Sequence, residues 1–161
     1  MANTTIIVNG TVLTCDASNR CGRYAIVVQN GRVHQITERI EPLVKEFAGA
    51  TIVDASNTLI VPGFVNAHFH GESFLLRDLT RGVHFSLWSD EPSFQQALTK
   101  ILHPMSAEDV RRMYQGAYLA HLKSGTTCVG EFGPSFGEES FRKMLEGIEK
   151  SGLTAVVSLQ N

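Results

Sequence analysis

The texture of the chain changes at Pro62-Gly63, and this change restricts the fold more than any other feature of the sequence. Before it, short apolar runs are separated by turn residues. Residues 5–8 and 11–14 flank Asn9-Gly10, a dipeptide that accepts positive φ at both centres of a tight turn, and so predict a hairpin. Residues 24–29, rich in β-branched side chains, and residues 32–36 flank Asn30-Gly31 and predict another. Residues 43–47 suit one helical turn, and residues 51–54 and 58–61 two further strands. Strands this short, with turns this regular, imply a small β-sandwich or half-barrel over residues 1–61.

Over residues 62–161 the order becomes strand, helix, strand, helix, strand. Residues 64–67 form a compact apolar run that suits a buried strand, and the segment from there to about residue 105 is loop-like. Ser106 offers an N-cap ahead of Glu108 and Asp109. Val110, Met113, Tyr114, Ala117 and His121 then recur at three- and four-residue steps until Ser124-Gly125 stops the helix. Residues 126–132 predict a strand broken by Gly133-Pro134. Residues 138–150 predict a helix with Phe141, Leu145 and Ile148 on one face, and residues 153–159 a last strand. This alternation belongs to the α/β class, with parallel strands covered by helices. Three strands do not close a barrel, which takes eight strands and about 250 residues. With a loop due at Gln160-Asn161 and no second layer over the sheet edge, the chain reads as the front part of a longer protein.

Composition removes several function classes. With 43% hydrophobic and 19% charged residues, the 161-residue chain is ordinary globular material rather than a disordered segment. Fourteen Lys and Arg against sixteen Asp and Glu give a net charge of -2, and no basic stripe tracks a nucleic-acid backbone. No apolar run approaches the roughly 18 residues of a membrane span, and the start, MANTTIIVNG, lacks the charged and apolar regions of a secretory signal. Cys15, Cys21 and Cys128 are odd in number and form no CxxC pair, which suits reduced thiols in the cytoplasm.

His68-Phe69-His70 is the sharpest chemical feature. Side chains alternate along a strand, so two imidazoles two residues apart share a face. Imidazole is a favoured ligand of zinc and neighbouring transition metals. An isolated HxH is more often coincidence, but here the pair follows Val-Pro-Gly and an apolar strand and stands at its carboxyl end, where α/β barrels carry their active sites.

Residues 52–55 (IVDA) and 59–70 (LIVPGFVNAHFH) together resemble the entry to the metal-dependent amidohydrolase superfamily. They are most similar to its branch of cytosine, guanine and S-adenosylhomocysteine deaminases and triazine chlorohydrolases. Leu75-Leu76-Arg77, Trp88, Ile101-Leu102-His103-Pro104 and Ser124-Gly125-Thr126-Thr127 follow in the order that branch shows. The resemblance implies a (β/α)8 TIM barrel, of which residues 62–161 would supply about three β-strands, preceded by a small β-sandwich that the family builds from both termini. It implies one divalent metal ion bound by His68 and His70, zinc first, with iron or manganese as alternatives. The family's other ligands, a histidine after strand five and an aspartate after strand eight, and the assisting histidine after strand six have no counterpart here. The activity implied is hydrolysis of non-peptide C–N bonds, or of a chloro substituent, by metal-activated water on an N-heterocycle or nucleoside-like amine. No catalytic residue of that set falls within the chain, so the 161 residues alone are expected to be inactive.

The resemblance also marks candidate substrate-binding positions. Glu72, Leu76 and Trp88 lie in the segment that covers the substrate in the family. Trp88 either stacks on a heteroaromatic ring or anchors its loop. His103 lies in a region that lines the pocket in relatives, and Glu131, at the end of the second strand, meets substrate or bonds to a neighbouring loop. His121 suits a satisfied core position, Cys128 a small hydrophobe, and His34 and His84 carry no signal. The competing readings are a non-catalytic binding or assembly module and one half of a split protein. Their partners would be a second copy of the chain or a complementing C-terminal chain. An adventitious copper or nickel site at HxH is a third.

Overall fold

The computed structural model describes residues 3–133 and 137–159. It divides into two compact units, residues 1–62 and 63–161. The first unit holds β1 (Thr4–Val8), β2 (Thr11–Leu13), β3 (Cys21–Arg23), β4 (Ala25–Gln29), β5 (Arg32–Thr37), α1 (Glu41–Glu46), β6 (Thr51–Asp54) and β7 (Leu59–Ile60). These strands form one sheet in the order β5-β4-β1-β6 and another in the order β3-β2-β7. Alternation drives the packing of the first sheet: Ile6 and Val8 of β1 are buried with Ala25 and Val27 of β4 and Leu43 of α1.

The hairpin expected at Asn9-Gly10 does not form. Strand β1 pairs antiparallel with β4 and parallel with β6, whereas β2 pairs with β3 and β7. Asn9 is left-handed at φ 67°, and its side-chain amide donates to Asp54 Oδ1 at 2.8 Å, so it steers the chain from one sheet to the other. Gly10 serves packing instead of the turn, because a Cβ there would lie 2.6 Å from Ile60 Cδ1. The other hairpin forms as expected. Asn30 (φ 52°) and Gly31 (φ 75°) both take the left-handed conformation that a two-residue turn requires, with Gln29 opposite Arg32.

In the second unit, β8 (Phe64–Phe69), β9 (Thr126–Gly133) and β10 (Thr154–Leu159) form a parallel sheet in the order β10-β9-β8. The stretch between β8 and residue 106 is not loop alone. It contains 3-10 turns at Gly71–Leu75 and Phe85–Asp90, the short helix α2 (Pro92–Ala97) and a π turn at Leu98–Leu102. Pro92 starts α2 at a position where a missing backbone N–H costs nothing. Helix α3 (Ala107–Lys123) begins at Ser106, whose Oγ accepts from Asp109 N at 3.2 Å and donates to Asp109 Oδ2 at 2.6 Å. Helix α4 (Glu138–Ser151) ends at the left-handed Gly152.

The core of this unit joins Val110, Met113, Tyr114, Ala117 and Tyr118 of α3 to Val129 of β9 and to Met144 and Ile148 of α4. Phe141 and Ile148 of α4 face the core as expected, but Met144 is buried in place of Leu145, which is 38% exposed, so the apolar face is rotated slightly. Close approach sets that rotation: a side chain at Gly147 would run into the backbone of Arg111 in α3. The expected burial of residues 64–67 does not hold either. Phe64 and Val65 are 60% and 69% exposed, because among the described residues β8 is an edge strand with β9 as its neighbour. Pro134, expected to break β9, and Gln160-Asn161, expected to begin a loop, lie outside the described residues. Among the described residues no helix is long and apolar enough to cross a membrane.

Candidate metal centre

Strand β8 delivers the two histidines through a bulge. Asn66 lies opposite Val129 and Phe69 opposite Glu131, so three steps on β8 match two on β9. Asn66 and Phe69 therefore share the face toward α3, where the Asn66 amide nitrogen lies 3.2 Å from His121 Nε2 and the Phe69 ring lies 4.1 Å from that imidazole. His68 and His70 take the opposite face. Asn66 Oδ1 accepts from His68 N at 3.2 Å, which holds the irregular turn of backbone from within. The bulge also needs Gly130, where a Cβ would lie 2.5 Å from the Ala67 carbonyl oxygen.

On that opposite face His68 stacks on Phe132 with ring centroids 4.4 Å apart. His68 Nε2 and His70 Nε2 approach to 3.2 Å. Zinc–imidazole bonds are about 2.0–2.1 Å, so nitrogens at this separation would both be within reach of one ion. The donor chemistry agrees: His70 Nδ1 faces Glu72 Oε1 at 3.4 Å, an arrangement that favours a proton on Nδ1 and leaves the Nε2 lone pair for a ligand. Two imidazoles fit a divalent ion but do not complete its ligand set. Among the described residues no group of three or more His, Cys, Asp or Glu gathers around one point.

Behind the pair lies a buried polar network. Glu131 is fully buried. Its Oε1 accepts from Gly71 N at 2.9 Å and its Oε2 accepts from the Tyr118 hydroxyl at 2.8 Å. The Tyr114 hydroxyl lies 3.3 Å from Glu72 Oε2. Burial pushes the Glu131 carboxyl up, against the pull of the Gly71 amide and the Tyr118 hydroxyl, and the nearby Glu72 adds to the rise. Burial likewise raises Glu72, opposed first by its own backbone amide and then by His70. Both tyrosines are pushed up by burial and then by these carboxylates, so they remain neutral O–H donors. His121 is pushed down by burial.

The expected substrate-facing residues divide. Glu72 stands beside His70. Glu131 is committed to Gly71 and Tyr118 on the α3 side of the sheet, with both oxygens taken. Leu76 is buried at the end of the first 3-10 turn. Trp88 donates its indole N–H to the Val83 carbonyl at 3.1 Å and meets Phe85 edge-on at 5.2 Å, and His103 is exposed after the π turn. Among the described residues neither makes a hydrogen bond or ring contact with the histidine pair. Sequence reasoning missed Phe132, Gly71, Tyr114 and Tyr118. The i, i+4 spacing of the tyrosines was visible, but on an apolar helix face it signals only core.

The sequence profile of the Amidohydrolase family matches residues 59–160. A 5-methylthioadenosine/S-adenosylhomocysteine deaminase of Caldicellulosiruptor saccharolyticus is 28% identical over 156 residues, covering 95% of this chain and 33% of that protein. The atrazine chlorohydrolase of Arthrobacter aurescens TC1, solved in complex with zinc, superposes with a TM-score of 0.80 at 17% identity, over 96% of this chain and 35% of that one. The guanine deaminase of C. acetobutylicum, solved with guanine in its active site, superposes with a TM-score of 0.75 at 21% identity, over 96% and 36%. At these identities the superpositions show the fold. The chain spans about a third of the length of the curated relatives it matches.

Proposed function

The chain belongs to the amidohydrolase family, and from that premise we propose that it carries the first two ligands, His68 and His70, of a catalytic divalent ion. The hydrolase they serve acts on non-peptide C–N bonds, in the manner of a deaminase or chlorohydrolase. The observation that carries the reading is the convergence of His68 Nε2 and His70 Nε2 to 3.2 Å at the end of β8. A bound divalent ion supplies Lewis acidity, activating water at neutral pH. His68 and His70 hold it through neutral imidazole, which suits zinc first and iron or manganese as alternatives. Phe132 covers one face of His68, and Glu72 orients His70 through Nδ1. On this reading residues 63–161 form the opening three strands of a (β/α)8 barrel, and residues 1–62 part of a composite β-sandwich.

The relatives support a substrate class of N-heterocycles or nucleoside-like amines, the chemistry named for the deaminases of guanine and of 5-methylthioadenosine. Trp88, exposed beside Phe85, is the side chain best suited to stack on such a ring. Three cysteines without a disulfide support a cytoplasmic location. The test is Zn²⁺ binding, followed by competition with a chromophoric chelator, in the wild type and in His68→Ala and His70→Ala. Each substitution is expected to abolish stoichiometric binding, and unchanged metal content in both variants refutes the assignment. A catalytic zinc needs about three protein ligands, so the 161-residue chain by itself is expected to turn over neither aminopurines nor chlorotriazines. Measurable hydrolysis would overturn that expectation. The unpaired edges of β8 and β10 favour a second reading, in which a complementing chain supplies further strands. A partner co-purifying at fixed stoichiometry would support it.

A further inference from the structure

A wholly buried carboxylate on a β-strand calls for a reason, because burying it opposes its ionised form and an apolar residue would pack without that cost. Glu131 has its carboxylate between the chain and α3: Oε1 takes the backbone N–H of Gly71, the residue that follows His70, and Oε2 takes the hydroxyl of Tyr118. Gly71 is shaped to this arrangement, since a side chain there would collide with the Tyr114 ring and crowd Glu131 Oε2 at 3.1 Å. One turn earlier on α3, Tyr114 reaches Glu72, which in turn faces His70 Nδ1 at 3.4 Å. Two arms thus run from one helix face toward a single histidine, one to the backbone amide of the residue after it and one to its ring.

We propose that Glu131, held by Tyr118, is a positioning residue that fixes the backbone beyond His70 so that its Nε2 meets that of His68, with Tyr114 and Glu72 setting the ring. The proposal deepens the metal-site reading and rests on it for its consequence, although the positioning itself exists without metal. Hydrogen bonding, not charge, performs the task. A glutamine at position 131 keeps an acceptor for Gly71 N and a polar partner for Tyr118, whereas alanine leaves both without one.

The experiment uses two readouts on the wild type, Glu131→Ala, Glu131→Gln and Tyr118→Phe, each checked for folding by circular dichroism. Zn²⁺ affinity is expected to fall about 10–100-fold in Glu131→Ala and to stay within about threefold of wild type in Glu131→Gln, the range typical of partners that orient a metal ligand. In metal-free protein, the ring ¹⁵N shifts of His70 are expected to move in Glu131→Ala and Tyr118→Phe and to return in Glu131→Gln. Unmoved ring shifts in both disrupting variants, or a glutamine variant as impaired as alanine, overturn the proposal. Should Glu131→Ala fail to fold, Tyr118→Phe, which removes one hydroxyl, decides. If the wild type binds no Zn²⁺ at His68 and His70 the metal-site reading fails, and the ring shifts alone still settle whether Glu131 positions His70.

Discussion

Gly130 illustrates how a site can depend on an atom that is missing. A methyl group at that position would press on the Ala67 carbonyl at 2.5 Å, so Gly130→Ala must flatten the β8 bulge or push the two strands apart. Overpacking of this kind costs about 1–3 kcal/mol, and the expected outcome is a lower denaturation midpoint together with weakened Zn²⁺ binding. Glu131→Gln is expected to act in the other direction on stability. The carboxyl's folded-state pKa is raised by burial, so the folded chain holds its proton more tightly than the unfolded chain, and stability falls as pH rises through that raised value. The glutamine variant lacks this fall, and urea titrations compared at mildly acidic and neutral pH will show a smaller loss for it than for wild type. At this scale the sequence was legible where fixed spacing alone brings side chains together, as in His68 and His70. It was not legible where placement depends on a neighbouring strand. Strict alternation would put Asn66 beside the imidazoles, yet the bulge sends it to His121. For Glu131 the sequence left open substrate contact or a bond to a neighbouring loop, and the fold supplies the second, through Gly71, with Tyr118 as a further partner that only the packed helix reveals.

At the scale of elements, the two long helices α3 and α4 declared themselves. Ser106 caps α3 as its sequence indicates, and Ser106→Ala is expected to cost about 1 kcal/mol, read as a shift in thermal midpoint. Helix α4 carries Glu146 between Lys143 at 2.7 Å and Lys150 at 2.6 Å. These hydrogen bonds hold its carboxyl down at about 2, from an ordinary 4.5. A depressed carboxyl stabilises the folded state above its unfolded pKa and loses that contribution as pH falls toward its folded one. Acid titration of α4 followed by circular dichroism should therefore show a loss between about pH 4.5 and 2 that Glu146→Gln lacks. The strands before residue 62 were found in nearly the right places but joined wrongly at Asn9-Gly10. A turn dipeptide reports local backbone preference, while strand partnership is decided by which apolar faces meet, here β1 with β4 and β6. The short strand β3 and the turns between residues 71 and 102 carry too little periodicity to be seen in advance.

For the molecule as a whole, the parallel sheet of the second unit has, among the described residues, a strand at each edge that pairs on one side only, with Phe64 and Val65 on β8 and Val156 on β10 largely exposed. Such edges recruit further strands. The purified chain is expected to self-associate in a concentration-dependent way, and Val65→Lys to shift light scattering toward the monomer; a monomer at all concentrations would count against the edge as an adhesive surface. The order of strands and helices was readable from the sequence, whereas the exposure of β8 was not, because burial is a property of neighbours and not of the strand. The same dependence on neighbours governs any attempt to borrow the histidine pair for design. Grafting residues 64–70 onto another parallel scaffold would transplant the letters without the chelate, unless the adjoining strand also gives up its Cβ opposite the graft: the motif has to be copied as two segments, one of them conspicuous only for a hydrogen atom.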